Sequence, residues 1–276
     1  MVQTKFQMAH LTASEMREAV ARSPVILLPF GSFEDQGPHM PMGDYLLAED
    51  MAEKIARKAS AAGHEVYVAP VLPFGGADFF GYMPGGIALS QSTLQAVLRD
   101  MLDSLLRHGL TRLIILNGHG GNCTMIHDVT RSIWLRDNVV VPSFYLWRVA
   151  ASFLPQIVGA EQAAQSGGHG ANPLTSIGMH VLPDLVRDDR IPQKHADQTA
   201  WGLNVSDFGT LDLDGALISV PLEGDCTASN GVGRGDPRLC SAETGARLTE
   251  KLVETGVKLV EHVVKQDVQE VSNKED

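Results

Sequence analysis

The sequence predicts an α/β fold in which helices alternate with the strands of a mostly parallel sheet. Three observations carry this expectation. Short apolar runs alternate with amphipathic stretches along the chain. Two of those runs, Val25–Phe30 and Leu113–Leu116, are apolar throughout, as strands covered on both faces must be. Glycine-rich loops follow both runs directly, where open parallel sheets form their ligand crevices.

The elements can be taken in order. Thr12 and Glu15 make a capping-box pair, and Met16, Ala19 and Val20 keep helical spacing to about Arg22. The strand Val25–Phe30 comes next. After a loop, residues Tyr45 to Ala62 return to helical spacing and are stopped by Gly63, and Glu65 to Leu72 reads as a second strand. A loop rich in glycine and aromatics runs from Pro73 to Gly86, followed by a helix from Ser92 to His108 that ends at Gly109. The strand Leu113–Leu116 leads into a glycine-rich turn. Val139 to Leu146 is a further expected strand, and Asn172 to Leu182 an expected helix. The last helix, Ser241 to Val264, places Leu248, Leu252, Val253, Leu259 and Val260 on one apolar face. Residues 267–276 are polar and are expected to fray in solvent.

A chain of 276 residues allows one large domain or two small ones, and no linker marks a division, so 1–276 is expected to form a single domain. With 44% hydrophobic and 20% charged residues it has the balance of a folded enzyme. A formal charge of -11 excludes nucleic acid and anionic membranes as expected partners, because both recruit basic faces. Cys123, Cys226 and Cys240 are widely spaced and odd in number, which suits a reducing compartment rather than a disulfide framework. No leader-like or membrane-spanning run is visible, so a cytoplasmic protein is expected.

The residues that carry chemistry fall in loops past strand ends: Glu34, Asp78 and His119. The loop from Gly31 to Asp44 holds two prolines and three glycines, a stiff backbone suited to wrapping an ion. Glu34 and Asp44 offer anionic oxygens, and His119, in Asn117-Gly118-His119-Gly120-Gly121-Asn122, offers an imidazole. That mixture suits zinc, manganese or iron better than calcium or magnesium, and three ligands leave a position open for water. Each residue also has an ordinary reading. Asp44 stands where a helix N-cap would, His119 sits in a turn that could expose backbone N–H groups to an anion, and Glu34 could be a solvated charge.

Taken together, these segments resemble the creatininase (creatinine amidohydrolase) family. The resemblance rests on Ser32-Phe33-Glu34, Gly37-Pro38-His39 and Asp44 ahead of a helix, on the His119 turn, on Gly167-Gly168-His169-Gly170 with Thr175-Ser176, and on Gly235-Asp236-Pro237-Arg238. It implies a three-layer α/β/α sandwich, usually assembled as a hexamer, with Glu34, Asp44 and His119 on the first metal site. It also implies hydrolysis of cyclic amides or formamides. Several positions depart from the family pattern. Gln36 stands where a second-metal His is common, Gly121 where creatininase has a Glu, and Asn172 and Leu174 where the third motif carries glutamates. One divalent ion per subunit is therefore expected, and creatinine is not the expected substrate.

His169 is the remaining candidate for proton transfer, its alternative being a loop His that only donates to substrate. His39 is expected to orient a ligand or a loop carbonyl, and Gln36, Asp78, Asn122 and Asn172 to contact substrate or support the ligands. Phe79 and Phe80 either stack on a small ring or pack between subunits. His127 and His180 are expected to be partly buried structural residues. The main expectation is a metal-activated water cleaving the C–N bond of a small cyclic amide. The Glu34–His39 segment with Gly43-Asp44-Tyr45 is also similar to a branch that opens keto-inositols such as 3-dehydro-scyllo-inosose. A non-catalytic binding protein on the same fold is the third reading.

Overall fold

A computed structural model describes residues 3–193, 199–207, 209–224 and 230–266. The expected frayed tail at 267–276, His195 and Cys226 lie outside these. Helix α1 (Ala13–Val20) opens with the capping box: the Glu15 N–H donates to Thr12 Oγ1 at 3.3 Å and the Thr12 N–H to Glu15 Oε2 at 2.7 Å. Strand β1 (Val25–Phe30) follows, buried at all six positions. Then come α2 (Asp44–Ala61), β2 (Val66–Val68), α3 (Gln91–Leu106), β3 (Leu113–Asn117), α4 (Cys123–Asp137) and β4 (Ser143–Tyr145). Strands pair in the order β2-β1-β3-β4, all parallel.

Period-two alternation divides the central strands between two cores. Val25 and Leu27 of β1 join Ile114 and Leu116 of β3 on one face. Ile26, Leu28 and Phe30 join Leu113 and Ile115 on the other. The first face is covered by α2, α5 (Leu146–Val158), α7 (Leu174–Val181) and α8 (Ala242–Lys265). The second is covered by α3 through Leu94, Leu98 and Leu102, and by α4 through Met125, Ile126, Val129 and Ile133. This is the expected three-layer α/β/α sandwich. Burying each such aliphatic side chain contributes about 1.5–3 kcal/mol, and two opposed cores set the register of the strands between them.

Helices α7 and α8 approach so closely that a Cβ at Gly245 would stand 1.8 Å from the Ser176 carbonyl oxygen. Among the described residues no helix is long and apolar enough to cross a membrane.

Several boundaries differ from expectation. β2 is shorter than Glu65–Leu72, although Leu72 pairs back to Phe30 as an isolated bridge. β4 stops at Tyr145 because Leu146 already begins α5. α2 begins one residue early, at Asp44, and α7 begins at Leu174 rather than Asn172. Unforeseen are α5, the short α6 (Ala160–Ser166), and a second, antiparallel sheet of β5 (Thr199–Ala200), β6 (Leu203–Asp207), β7 (Thr210–Leu213) and β8 (Ala216–Ser219). His127 and His180 are exposed on α4 and α7, not partly buried.

Candidate metal centre

Adjacent strands β1 and β3 end side by side, and the loops leaving them carry the three candidate ligands. The Gly118 N–H donates to the Phe30 carbonyl at 2.7 Å, so the turn after β3 is tied to the end of β1. Asn117 clamps the backbone around His119: its Nδ2 donates to the His119 carbonyl at 2.7 Å and its Oδ1 accepts the His119 N–H at 3.0 Å. Asn122 links three loops. Its Nδ2 donates to the Gly31 carbonyl at 3.1 Å and its Oδ1 accepts the Gly76 N–H at 3.0 Å. It braces the backbone on either side of the candidate ligands.

The three ligand candidates meet. His119 Nδ1 lies 3.0 Å from Glu34 Oε1 and 3.4 Å from Asp44 Oδ2, and one donor atom from each residue falls within 4.8 Å of the others. All three side chains are buried, Asp44 to 2% exposure. Asp44 is not an N-cap: Gly43, at φ 146°, holds that position, and Asp44 is the first residue of α2. Its carboxylate instead accepts the Ser32 backbone N–H at 2.6 Å and the Ser32 Oγ–H at 3.0 Å.

Burial by itself would lower the His119 pKa, but the charges of Glu34 and Asp44 outweigh it and hold the imidazole well above its ordinary range. Burial likewise raises the Asp44 carboxyl, with His119 pulling it back only in part. Two buried acids beside one imidazole leave excess negative charge even with the ring protonated. A divalent cation meets that demand, and the mixed oxygen and nitrogen donor set fits a transition ion.

In front of the triad is a cavity of about 560 Å³. Gln36 lines it at 1% exposure. Its Nε2 donates to Glu34 Oε1 at 3.3 Å, and its Oε1 is buried with no partner among the described residues. His169 also lines the cavity, its Nε2 donating to the Asp35 carbonyl at 2.7 Å and its ring stacked on Phe80 at 4.7 Å. Phe79 and Phe80 form part of the wall.

One expectation needs correction, and two further residues are engaged by their neighbours. Asp78 is exposed and does not line the cavity; its carboxylate folds back within its own turn, where a Cβ on Gly81 would lie 2.7 Å from Asp78 Oδ2. His39 Nε2 meets Thr175 Oγ1 of α7 at 3.3 Å, so it ties the loop after β1 to that helix. Asn172 lines the cavity, but its amide is engaged at both ends, by Ser166 Oγ at 3.0 Å and Ser176 Oγ at 2.5 Å.

Sequence reasoning missed Tyr145, Trp147, Arg148, Asp207 and Arg234, all of which line the cavity. Tyr145 stands at the carboxyl end of β4, so the strand-end rule that selected Glu34 and His119 would have found it had the strand been ended correctly. Trp147 donates its indole N–H to the Gly118 carbonyl beside His119.

A parallel sheet whose neighbouring strand ends deliver two carboxylates and an imidazole to the floor of a cavity is the layout of a metal-dependent hydrolase. Within that class the chain belongs to the creatininase family, whose sequence profile, described as creatinine amidohydrolase, matches residues 9–260. It is 30% identical over 199 residues to creatinine amidohydrolase of Pseudomonas putida, covering 66% of this chain and 74% of that protein. It is 30% identical over 118 residues to 3-dehydro-scyllo-inosose hydrolase of Thermotoga maritima, covering 40% of this chain and 34% of that one. A manganese creatininase structure superposes with a TM-score of 0.75 at 22% identity, over 95% of this chain and all of its own, which shows the shared fold.

Proposed function

We propose that this chain opens small cyclic amides at the C–N bond, using one divalent cation held by Glu34, Asp44 and His119. The carrying observation is the triad itself: Glu34 Oε1 and Asp44 Oδ2 flank His119 Nδ1 at 3.0 and 3.4 Å on the floor of the cavity. Zinc, manganese and iron are the ions such donors suit. When bound, the ion supplies the positive charge that polarises a carbonyl and acidifies a water for attack near neutrality.

The chain's own residues support a single ion. Gln36 brings no anionic or imidazole donor. A Cβ at Gly121 would lie 2.6 Å from His119 Nε2 and 2.7 Å from the Gly76 carbonyl oxygen, so this turn has no room for a side chain there. A second carboxylate from that position would break the bond that orients His119.

Proton movement falls to His169. Its Nε2–H is donated to the Asp35 carbonyl, which holds the imidazole in the cavity wall where a leaving nitrogen would depart. Phe80, already stacked on that imidazole, offers a flat apolar wall to a ring. Burial pushes the Tyr145 phenol above its usual range, which keeps it a hydrogen-bond donor in the cavity.

The second reading is ring opening of a keto-inositol such as 3-dehydro-scyllo-inosose, favoured by the likeness to the Thermotoga maritima hydrolase. A non-catalytic role is the third. Metal analysis after loading, with turnover measured on dihydrouracil, hydantoin and 3-dehydro-scyllo-inosose, separates them. The expected result is about one ion per chain and turnover of the cyclic amides, abolished in His119→Ala without unfolding. Turnover of the inosose alone selects the second reading. Absence of a bound ion, or undiminished activity in His119→Ala, overturns the proposal.

A further inference from the structure

Away from the three ligands, the cavity carries two guanidinium groups. Arg148 lies in the first turn of α5, and its guanidinium stands over the Tyr145 ring at 5.4 Å. Arg234 precedes α8, and its Nη1 donates to the Ser206 carbonyl at 3.2 Å. Both line the 560 Å³ cavity. Among the described residues neither forms an ion pair with a carboxylate. Among the described residues Asp207 is the one acid besides Glu34 and Asp44 in that lining, so two solvent-exposed positive charges face one negative charge outside the triad. In a chain of net charge -11 this is a local reversal of sign.

Among the described residues each guanidinium meets a ring face or a backbone carbonyl, which leaves most of its five N–H donors for something else. Their fork geometry matches a carboxylate. The buried Oε1 of Gln36 adds the opposite requirement. It is an acceptor in the same cavity with no partner among the described residues, and an amide N–H satisfies it. A neutral cyclic polyol would leave both exposed guanidiniums to water.

We propose that the substrate is an amide bearing its own carboxylate, the acid pairing with Arg148 and Arg234 while its N–H donates to Gln36 Oε1. This rests on the amide-hydrolase reading for the reaction and adds the substrate class. Water is added across the C–N bond, the carbonyl carbon taking OH and the nitrogen taking H. The recognised carboxylate is unchanged, and the product carries one acid more than the substrate.

The test is calorimetric binding of two matched pairs, dihydroorotate against dihydrouracil and pyroglutamate against 2-pyrrolidinone, to the ion-loaded protein. Each pair differs only in the carboxylate. In at least one pair the acid binds about tenfold or more tightly than its neutral partner, the scale of a hydrogen bond to a charged group. Arg148→Gln and Arg234→Gln each lower the acid's affinity by about tenfold and leave the neutral ring within about twofold. The melting temperature of each variant shows that it is folded, and either variant alone suffices. Equal binding of acid and neutral rings, equal losses for both in the variants, or no binding of either acid at millimolar concentration overturns the proposal. Tight, arginine-dependent binding without turnover would sustain this recognition while defeating the amide-hydrolase reading.

Discussion

The Nε2–H of His119 donates to the Gly76 carbonyl at 3.0 Å, and that bond decides which ring nitrogen faces the acids. With the proton fixed on Nε2, the neutral ring presents the Nδ1 lone pair towards Glu34 and Asp44. Gly76 is itself held, through its N–H, by Asn122, whose amide also grips the loop after β1. The orientation of one ligand is therefore set by three loops together.

Ser32 does for Asp44 what Gly76 does for His119. Ser32→Ala removes the Oγ–H donor and keeps the backbone N–H, so the fold is retained while ion affinity falls about 10- to 100-fold. Competition with a chromophoric chelator measures this. Affinity within about twofold of the unaltered protein would show that the hydroxyl orients nothing.

Ion binding should release a proton at neutral pH. His119 has a folded pKa well above its usual value, so the ion-free ring is protonated there and must lose its proton to become a ligand. Calorimetry in buffers of different ionisation enthalpy should show about one proton released per ion, with affinity rising as pH rises. The same shift fixes the pH dependence of the ion-free protein. The raised pKa stabilises the fold fully below the unfolded value, and that contribution is lost as pH climbs through the folded one. The melting temperature of ion-free protein should fall on the alkaline side, and a flat profile there would contradict the shift.

Gly245→Ala should destabilise the chain by about 1–3 kcal/mol or more, because the added methyl meets backbone rather than a movable side chain. The urea midpoint should fall with an unchanged slope. An unaltered midpoint would mean that α7 and α8 can separate at no cost.

Burial pushes the Cys240 thiol up to about 12, so almost none of it is thiolate at pH 8. Cys123 is raised for the same first cause. Iodoacetamide should label both slowly in the native protein and quickly after unfolding, as read peptide by peptide in a mass spectrometer. Native labelling of Cys240 at the rate of a free thiol would contradict the raised pKa.

The central sheet and the triad were legible in the sequence for one reason. Strands such as Val25–Phe30 are buried on both faces and apolar throughout, so their ends, and the polar residues just past them, stand out. The second sheet has no such contrast. β8 is exposed at all four positions, and the only buried residue of β7 is Leu211, so neither shows the alternation that marks a half-buried strand. Arg148 was hidden because α5 begins at Leu146 with no turn residue after β4, and because Pro155 lies inside that helix, where a breaker is normally read. Asp78 misled because the rule about strand ends selects a loop, and the left-handed turn at Ala77 lies just before it. Gly121 departs from the family pattern for a steric reason the sequence does not carry: a Cβ there would collide with the His119–Gly76 bond.

The donors reach the centre from separate loops, on two strands that are neighbours in the sheet but far apart along the chain. An occupied centre therefore acts as a clasp between remote parts of the polypeptide, and occupancy feeds directly into heat resistance. At a hundredfold excess over its dissociation constant an ion adds about 2.7 kcal/mol. Melting curves recorded with one candidate ion after another thus rank them by preference before any substrate has been identified.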